Sequence, residues 1–204
     1  MLFARVPAPP GHCSRSVVLL LLFLVVAYVL AAPVDAAARA KKKALSVEGG
    51  LKLEVPDTWV VQPPASGMRK GQWQIPPSGG DPEPAELVLF YFGPGQGGTV
   101  QENLDRWFSL WQSDDGKPIK DTAKVETRKV GELNVTRVDV SGRYVGAKVP
   151  GGTEKMDKAG WRMLAAVVET RTGPYFLRLL GPAKTVQANQ AAFDAVITSL
   201  KHGG

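Results

Sequence analysis

The sequence is poor in the residues that most enzymes use for nucleophilic or metal-assisted chemistry. Its 204 residues include one cysteine and two histidines. Cys13 and His12 lie in an N-terminal stretch with the pattern of a leader, and His202 lies in the C-terminal tail. The chain between them has no thiol for a disulfide or a zinc site and no histidine for a general base. We therefore expect no metal, no cofactor and no catalytic residue.

Serine–lysine chemistry and carboxylate pairs are the routes to catalysis that remain open. The neighbouring acids that could pair are Glu83 with Glu86, Asp114 with Asp115, and Glu154 with Asp157. Each pair falls in a predicted loop or at the edge of a predicted element, where solvation of the charges explains it. An enzyme that uses carboxylates is therefore a third hypothesis, behind two binding functions.

The charge balance disfavours a nucleic-acid partner. The chain has 25 basic and 19 acidic side chains, a net charge of +6, and no arginine-rich segment with interleaved aromatic residues. Lys41–Lys43 is a basic cluster that we interpret as a solvated tether. A contact with anionic lipid or cell-wall polymer is the alternative interpretation of this cluster.

The N-terminus has the layout of a signal peptide. Residues 17–32 form a continuous apolar run, preceded by Arg15 and followed by the small residues Ala36–Ala38. This predicts a signal peptide over residues 1–38 and an exported, periplasmic or secreted, protein. The alternative is an uncleaved anchor over residues 17–32, which would be the one membrane contact. A helix of these 16 residues spans only about 24 Å of a hydrocarbon core of about 30 Å.

One globular domain is expected over residues 45–201. A chain of this length can bury a substantial core without disulfides. A basic tether over residues 39–44 precedes the domain, and a short tail over residues 202–204 follows it.

The centre of that domain is expected to be a hairpin near the C-terminus. Trp161–Val168 is apolar on both alternating faces, which predicts a strand covered on both sides. Gly173 in the next turn can adopt a conformation that larger residues avoid, and Tyr175–Leu180 returns as the second strand. A helix is predicted after Gly181-Pro182, because proline suits a first helical position. Its sheet-facing residues by spacing are Val186, Phe193, Val196, Ile197 and Leu200.

A hairpin, a buried strand and a second helix are predicted upstream. Leu45–Val55 alternates around two glycines as a hairpin, and Ala85–Phe92 is apolar throughout, as in a buried strand. A helix begins after Thr99, which forms a capping box with Glu102 three residues later. The apolar stripe predicted for this helix is Val100, Leu104, Trp107, Phe108 and Trp111.

These elements predict an α+β fold. Val125–Val130 and Leu133–Tyr144 add two strands, and the apolar phase slips near Thr136, as a β-bulge would cause. Strands linked by hairpins favour a mainly antiparallel sheet with two amphipathic helices packed against it. A parallel α/β fold is not expected.

The loop Gly93–Gly98 has the spacing of a dinucleotide-binding fingerprint and opens a helix. Its context argues against that function, because hairpin-patterned strands follow and Pro94 removes a backbone donor. No lysine follows the last glycine, as a P-loop requires. We interpret the loop as a strand-to-helix turn, but N–H groups at a helix start attract anions. The candidate site for an anion or partner is Gly95, Gly97, Gly98 and Thr99.

Two further candidate sites lie elsewhere in the chain. Lys184 and Thr185 at the start of the C-terminal helix offer the same N–H groups with an added positive charge. Helix ends and surface lysines are common, so solvation is the simpler explanation of this pair. Trp59 and Trp73 lie among proline and glycine residues, which makes them candidates for an exposed aromatic patch.

Three features of the chain occur together: the leader, a strand that closes in Val55–Trp59, and a late hairpin that ends in Gly181-Pro182 before a helix with Phe193 and Leu200. This combination resembles the PsbP-like superfamily, with its PsbP, Mog-type and DcrB-like domains, over residues 45–200. The resemblance implies a central antiparallel sheet between helices, and a binding or assembly accessory instead of an enzyme. It transfers no functional residue. The chain departs from the pattern in the Gly93–Gly98 loop and in lacking a lipid-bearing cysteine after the apolar run.

Two binding functions are therefore the leading hypotheses. The first is an exported, non-catalytic accessory domain that engages a protein partner or an envelope component. The second is a small-ligand or anion-binding protein that uses the helix start at Gly95–Thr99. The sequence identifies neither the partner or ligand nor the oligomeric state.

Overall fold

A computed structural model describes residues 41–115, 117–147 and 152–203. The predicted signal peptide over residues 1–38, the alternative anchor over residues 17–32 and Cys13 lie outside the described residues. No helix in the described part of the chain is both long and apolar enough to cross a membrane.

The described chain contains eleven strands and four helices. The strands are β1 Lys42–Ser46, β2 Leu51–Pro56, β3 Val60–Val61, β4 Arg69–Ile75, β5 Ala85–Tyr91, β6 Trp111–Gln112, β7 Lys124–Val130, β8 Leu133–Tyr144, β9 Lys158–Glu169, β10 Tyr175–Pro182 and β11 Lys201–His202. The helices are α1 Val100–Phe108, α2 Ile119–Thr122, α3 Ala183–Ala188 and α4 Gln190–Thr198.

The predicted hairpin, β9–β10, lies in the middle of the larger of two sheets. The strand order of this sheet is β3-β4-β5-β10-β9-β8-β6, with β7 paired to β8. The smaller sheet has the order β1-β2-β11. Every strand pair of the described chain is antiparallel. The predicted α+β fold with a mainly antiparallel sheet is therefore confirmed.

One face of the large sheet is covered by the small sheet and by the C-terminal helices. Alternate residues of β5, β9 and β10 point to this face, as the two-residue period of a strand requires. They form a buried cluster with side chains of β2, α3 and α4, which includes Leu51, Leu53, Leu87, Leu89, Leu164, Leu177, Leu179, Val186, Phe193 and Ile197. The main core lies in this layer.

The turn between β1 and β2 attaches the small sheet to the large one. The rings of Tyr91 and Tyr175 stack with centroids 4.4 Å apart, and the Tyr175 hydroxyl donates to the carbonyl of Glu48 at 2.7 Å. Gly49 has a φ of +83°, and a Cβ there would lie 2.3 Å from the Tyr175 hydroxyl oxygen. Only glycine satisfies both the turn and the close approach.

The other face of the large sheet is covered in part. Leu104 and Trp107 of α1 are buried in a second cluster, with side chains of β8 and β9 that include Val138, Val140, Met163 and Val167. Beyond α1, side chains of β4, β5 and β10 line an open cleft. The sheet is thus covered on both sides at β9, as predicted, and is open at β4 and β5.

The C-terminal helix differs from the prediction. Two helices, α3 and α4, replace the single one expected, and Pro182 is the residue before the first of them. The helix is interrupted at Asn189, whose side-chain amide donates to the carbonyl of Thr185 at 2.9 Å. Its Oδ1 accepts the indole N–H of Trp59 at 3.0 Å. The five residues expected to face the sheet are nevertheless buried.

Two local predictions are wrong. The helix α1 ends at Phe108, so Trp111 lies in β6 and not on the helical stripe. The pairing of β8 with β7 and β9 runs without a break through Thr136, and the register shifts after Gly142 instead. The apolar phase slips because β8 changes the face that carries its apolar residues: Leu133 and Val135 belong to the main core, whereas Val138 and Val140 belong to the cluster on the other face.

Candidate functional site

The predicted anion site at the start of α1 contains a carboxylate of the chain itself. The Thr99 N–H donates to Oε2 of Glu102 at 2.7 Å, and the Glu102 N–H donates to Oγ1 of Thr99 at 3.2 Å, which is the predicted capping box. The backbone hydrogen bond from Thr99, followed by that from its side chain, lowers the pKa of Glu102. An external anion would have to displace this carboxylate.

The glycines of the same loop shape the turn. Gly95 and Gly97 have φ values of +69° and +92°. A Cβ on Gly97 would lie 2.7 Å from the ring of Phe176. The carbonyl of Gly97 accepts a hydrogen bond from the side-chain amide of Asn103 at 2.9 Å. A Cβ on Gly98 would lie 2.8 Å from the Glu102 carboxylate. The loop is thus held against the sheet and the helix by its own side chains.

The second candidate site, at the start of α3, is also occupied from within. The Thr185 N–H donates to Oδ2 of Asp81 at 2.7 Å, and Oγ1 of Thr185 accepts the Ser78 N–H at 3.0 Å. Thr185 is buried, and Lys184 packs beside Gly79. Asp81 therefore provides the negative charge that the positive end of a helix favours.

The prediction of an exposed aromatic patch is wrong. Trp59 and Trp73 are 3% and 5% exposed, and both belong to the main core. Side chains of α3 and α4, which are remote from both tryptophans in sequence, belong to the same core, and the indole N–H of Trp59 donates to Oδ1 of Asn189. Exposed apolar side chains lie next to Trp59 instead, at Val60 and Val61, which are 50% and 63% exposed.

A cleft of about 750 Å³ lies on the partly covered face of the large sheet. It is lined by side chains of β4, β5 and β10, by α1, and by the connecting residues Met68, Ala147 and Met156. The aromatic rings that line it are Phe90, Phe92, Trp107, Tyr144, Trp161 and Phe176. Several of these rings contact one another, so the apolar lining is continuous over parts of the cleft.

Arg178 of the central strand β10 lies in this cleft. Its neighbours across the sheet are Val88 and Ala165, neither of which can accept a hydrogen bond through its side chain. Its Nε is buried without a hydrogen-bond partner, and its guanidinium carbon lies 5.7 Å from the ring centre of Phe90. Burial lowers the pKa of Arg178, because the charged form loses hydration.

The acid of the cleft, Glu86, is paired with other residues. Its Oε1 accepts the side-chain amide of Gln72 at 2.6 Å and lies 3.5 Å from the Arg69 guanidinium. Arg69 also lies 5.7 Å from the ring centre of Phe90. The ring of Phe90 is thus flanked by two arginines, of which only Arg69 lies within ion-pair distance of the Glu86 carboxylate.

Arg178 is not among the candidate binding residues predicted from the sequence. The signal was present, because Arg178 stands between Leu177 and Leu179 in a strand predicted to lie next to a fully covered one. A charged residue at such a position is rare unless it is paired or faces a cavity. The pattern could not show the cleft itself, which depends on where α1 stops.

Most of the acids considered for catalysis form ion pairs with basic side chains. Glu83 lies 2.5 Å from Lys158, Asp115 lies 3.0 Å from Lys117, and Asp157 pairs with Arg143. The described residues include no group of three or more His, Cys, Asp or Glu side chains that could hold a metal ion. The arrangement in the cleft is therefore suited to binding through aromatic faces and guanidinium groups.

No protein-family model and no curated protein sequence matches the chain. Among solved structures, the chain is similar to the PsbP protein CyanoP of Synechocystis sp. PCC 6803, with 14% identity, a TM-score of 0.48, and 86% of this chain and 99% of that chain covered. It is also similar to PA94, a Pseudomonas aeruginosa protein of unknown function, with 12% identity, a TM-score of 0.45, and 81% and 99% covered. LpqN, involved in cell envelope biogenesis of Mycobacterium tuberculosis, has 10% identity, a TM-score of 0.46, and 80% and 91% covered. The PsbP protein belongs to the superfamily that the sequence resembles, and no function is transferred from these structures.

Proposed function

We propose that the globular part of this chain is an exported, non-catalytic accessory domain that binds a small, largely apolar molecule in the open cleft. The observation that carries the proposal is the volume of about 750 Å³ lined by rings of α1, β5, β8, β9 and β10. Small-molecule sites in proteins are typically concave, about 300–1,000 Å³ in volume, and rich in aromatic side chains. Export is supported by the leader pattern of residues 1–38.

A binding role is also supported by the chemistry of the lining. Its polar side chains include amides and arginines, which can orient a ligand, and its one acid, Glu86, accepts a hydrogen bond from Gln72 and forms an ion pair with Arg69. A hydrolytic or transfer reaction would need a nucleophile or a free base placed against the substrate. The described residues that line the cleft include the hydroxyls of Ser66 and Tyr144 but no histidine or lysine, and their one carboxylate is paired.

A neutral apolar fluorophore, N-phenyl-1-naphthylamine, tests the proposal with the full-length protein. Its emission should rise and saturate with one site per chain. The variant Gln74→Trp should reduce the affinity by about tenfold or more, because an indole at this exposed, cleft-lining position would fill part of the volume. The leader is apolar and could bind the probe, so the comparison between variants is the measurement.

Val125→Trp is the matched control. It also places an indole on an exposed strand position, on β7 and outside the cleft, and should leave the affinity unchanged. Equal binding by the wild type and both variants would contradict the proposal, as would the absence of a saturable site.

A protein partner at the edge of the large sheet is the second candidate function. The observation that favours it is the edge strand β3, where Val60 and Val61 are half to two-thirds exposed. An extended segment of a partner can add to such an edge through main-chain hydrogen bonds. Recovery of one salt-resistant partner from the envelope fraction, lost in Val61→Asp and kept in Gln74→Trp, would favour this function over the first.

A further inference from the structure

The cleft contains an arginine without a carboxylate partner. Arg178 makes no hydrogen bond and no ion pair within the part of the chain that the structure describes, and it contacts the ring of Phe90. By contrast, Arg162 lies on β9 and points to the other face of the sheet. Its guanidinium has two hydrogen bonds to Asp139, both at 2.8 Å. Arg178 is partly buried, its Nε is buried, and Glu86 acts on it only from beyond ion-pair distance. A cation that loses hydration is costly unless an anion offsets the loss.

The lining of the cleft as a whole carries excess positive charge. It has three arginines, Arg69, Arg106 and Arg178, and one acid, Glu86. The acid is already shared between Arg69 and Gln72. Arg106 donates to the side-chain carbonyl of Asn103 at 2.9 Å, which is a neutral partner. Among the described residues that line the cleft, one carboxylate thus faces three guanidinium groups, and Glu102 acts on Arg106 from outside the lining.

We infer that the ligand of the cleft is an amphiphilic anion, whose single carboxylate, phosphate or sulfonate group is held by Arg178 and whose apolar body lies on the aromatic rings. This inference rests on the proposed function and specifies the chemical class of the ligand. The planar guanidinium matches such anions with two parallel hydrogen bonds, which a lysine cannot reproduce. Phe90 keeps the guanidinium in place from the strand next to it.

The position of Arg178 places the anionic group near the floor of the cleft. Val88 and Ala165, its neighbours across the sheet, are buried and apolar, and its Nε is shielded from water, whereas the residue as a whole is partly buried. Charge-assisted hydrogen bonds are strongest where water is excluded. The rings of Phe92, Trp107 and Phe176 lie on the α1 side and would cover the apolar body.

Two fluorophores with the same body test the inference with the full-length protein. N-phenyl-1-naphthylamine is neutral, and 8-anilinonaphthalene-1-sulfonate adds one sulfonate to the same ring system. The wild type should bind the sulfonate about tenfold or more tightly than the neutral probe. In Arg178→Met the affinity for the sulfonate should fall to that for the neutral probe, while the affinity for the neutral probe is kept. Arg178→Lys should retain an intermediate preference, because it keeps the charge and loses the planar fork.

Arg128→Met is the matched control. Arg128 lies on β7, outside the cleft, and its Nε is also buried without a partner, so the substitution removes a comparable group. It should leave both affinities unchanged. Near-ultraviolet circular dichroism of each variant checks that the fold is intact, and Arg178→Lys serves as the test if Arg178→Met does not fold.

The possible failures are distinguishable. If the neutral probe binds and the sulfonate has no advantage, or if Arg178→Met keeps that advantage, the anionic class is wrong and the proposed function stands. If Arg178→Met and Arg128→Met lower the affinity equally, the effect is a general one of charge and the inference is also wrong. If neither probe binds at a saturable site, both the inference and the proposed function fail.

Discussion

Two arginines on neighbouring strands of the large sheet have opposite relations to their surroundings. Arg162 is 9% exposed, and its guanidinium donates to both oxygens of Asp139 and to the side-chain carbonyls of Gln187 and Gln190. Arg178 has an aromatic ring beside it and no acceptor. The first arginine is therefore part of the structure that holds α3 and α4 to the sheet, whereas the second leaves hydrogen-bonding capacity unused.

The same substitution at these two positions should change stability in opposite directions. Arg178→Met should raise the free energy of unfolding by about 1 kcal/mol, because a partly buried charge without an ion-pair partner is replaced by an apolar side chain next to Val88 and Ala165. This corresponds to a rise in Tm of about 2–4 °C for a chain of this size. Arg162→Met should lower the free energy of unfolding by about 2–4 kcal/mol, because it leaves Asp139 without its partner.

Urea unfolding monitored by circular dichroism measures both changes on the same scale. A loss of stability in Arg178→Met comparable to that in Arg162→Met would show that Arg178 is a structural residue. If Arg178 is a binding residue, its replacement should both raise the stability of the fold and lower the affinity for an anion.

Single residues also show which features the sequence could not reveal. Trp59 and Trp73 were predicted to be exposed because their neighbours in sequence are prolines and glycines. Their burial depends on the main core, to which α3 and α4 contribute and in which Trp59 donates to Asn189, and these helices reach them only after the chain has folded. Arg178 is the opposite case, since its neighbours in sequence are apolar but its side chain lines a cleft. In each case the deciding contacts are remote in sequence.

Elements whose signals are local agree with the sequence. The capping box of α1 needs only Thr99 and Glu102, and both of its hydrogen bonds are present. The hairpins β1–β2 and β9–β10 were likewise predicted from alternation and turn glycines. The break at Asn189 was not, because its amide bonds to Trp59, a residue far away in the chain. Helix starts and tight turns are thus readable from sequence, whereas interruptions caused by tertiary hydrogen bonds are not.

The start of α1 should loosen in acid. The hydrogen bonds from Thr99 lower the pKa of Glu102, so its ionised form is favoured in the folded state. A lowered pKa stabilises the helix start above the carboxyl pKa of the unfolded chain, and this stabilisation is lost as the pH falls through the lowered pKa. Backbone chemical shifts of Thr99 and Asn103 should therefore move toward random-coil values in acid.

Glu102→Gln is the control for this pH dependence. A glutamine can still accept the Thr99 N–H, but it carries no charge for the helix dipole. Its helix start should be looser at neutral pH and should not change further in acid. A variant that follows the same pH profile as the wild type would show that another group titrates there.

At the scale of the whole molecule, the large sheet separates two layers of different completeness. The layer with β2, α3 and α4 buries leucine, phenylalanine and isoleucine side chains almost completely. The layer with α1 contains more side chains that are only partly buried, among them Phe90, Phe92 and Phe108. Apolar burial is the main stabilising contribution to a fold, so the two layers should differ in local stability.

Hydrogen exchange should therefore detect an opening of the α1 layer that leaves the other layer closed. The amides of α1 should exchange at a lower free energy than those of β10 and α4, which should exchange near the global value. A ligand in the cleft contacts α1 through Trp107 and the sheet through Phe176, so it joins the two surfaces that separate in this opening. Bound 8-anilinonaphthalene-1-sulfonate should then slow exchange in α1 strongly and in α4 little.

The matched measurement is amide hydrogen exchange of the Gln74→Trp variant, with and without the same probe. This variant should lose the protection of α1 if the probe acts from the cleft. Equal protection of α1 and α4 in the wild type would indicate global stabilisation through binding elsewhere, and exchange of α4 before α1 would contradict the order of layers. The partly covered face would then account for both properties expected of a binding domain, since the side chains that α1 leaves uncovered would form the proposed site and the same gap would make the α1 layer the one that opens.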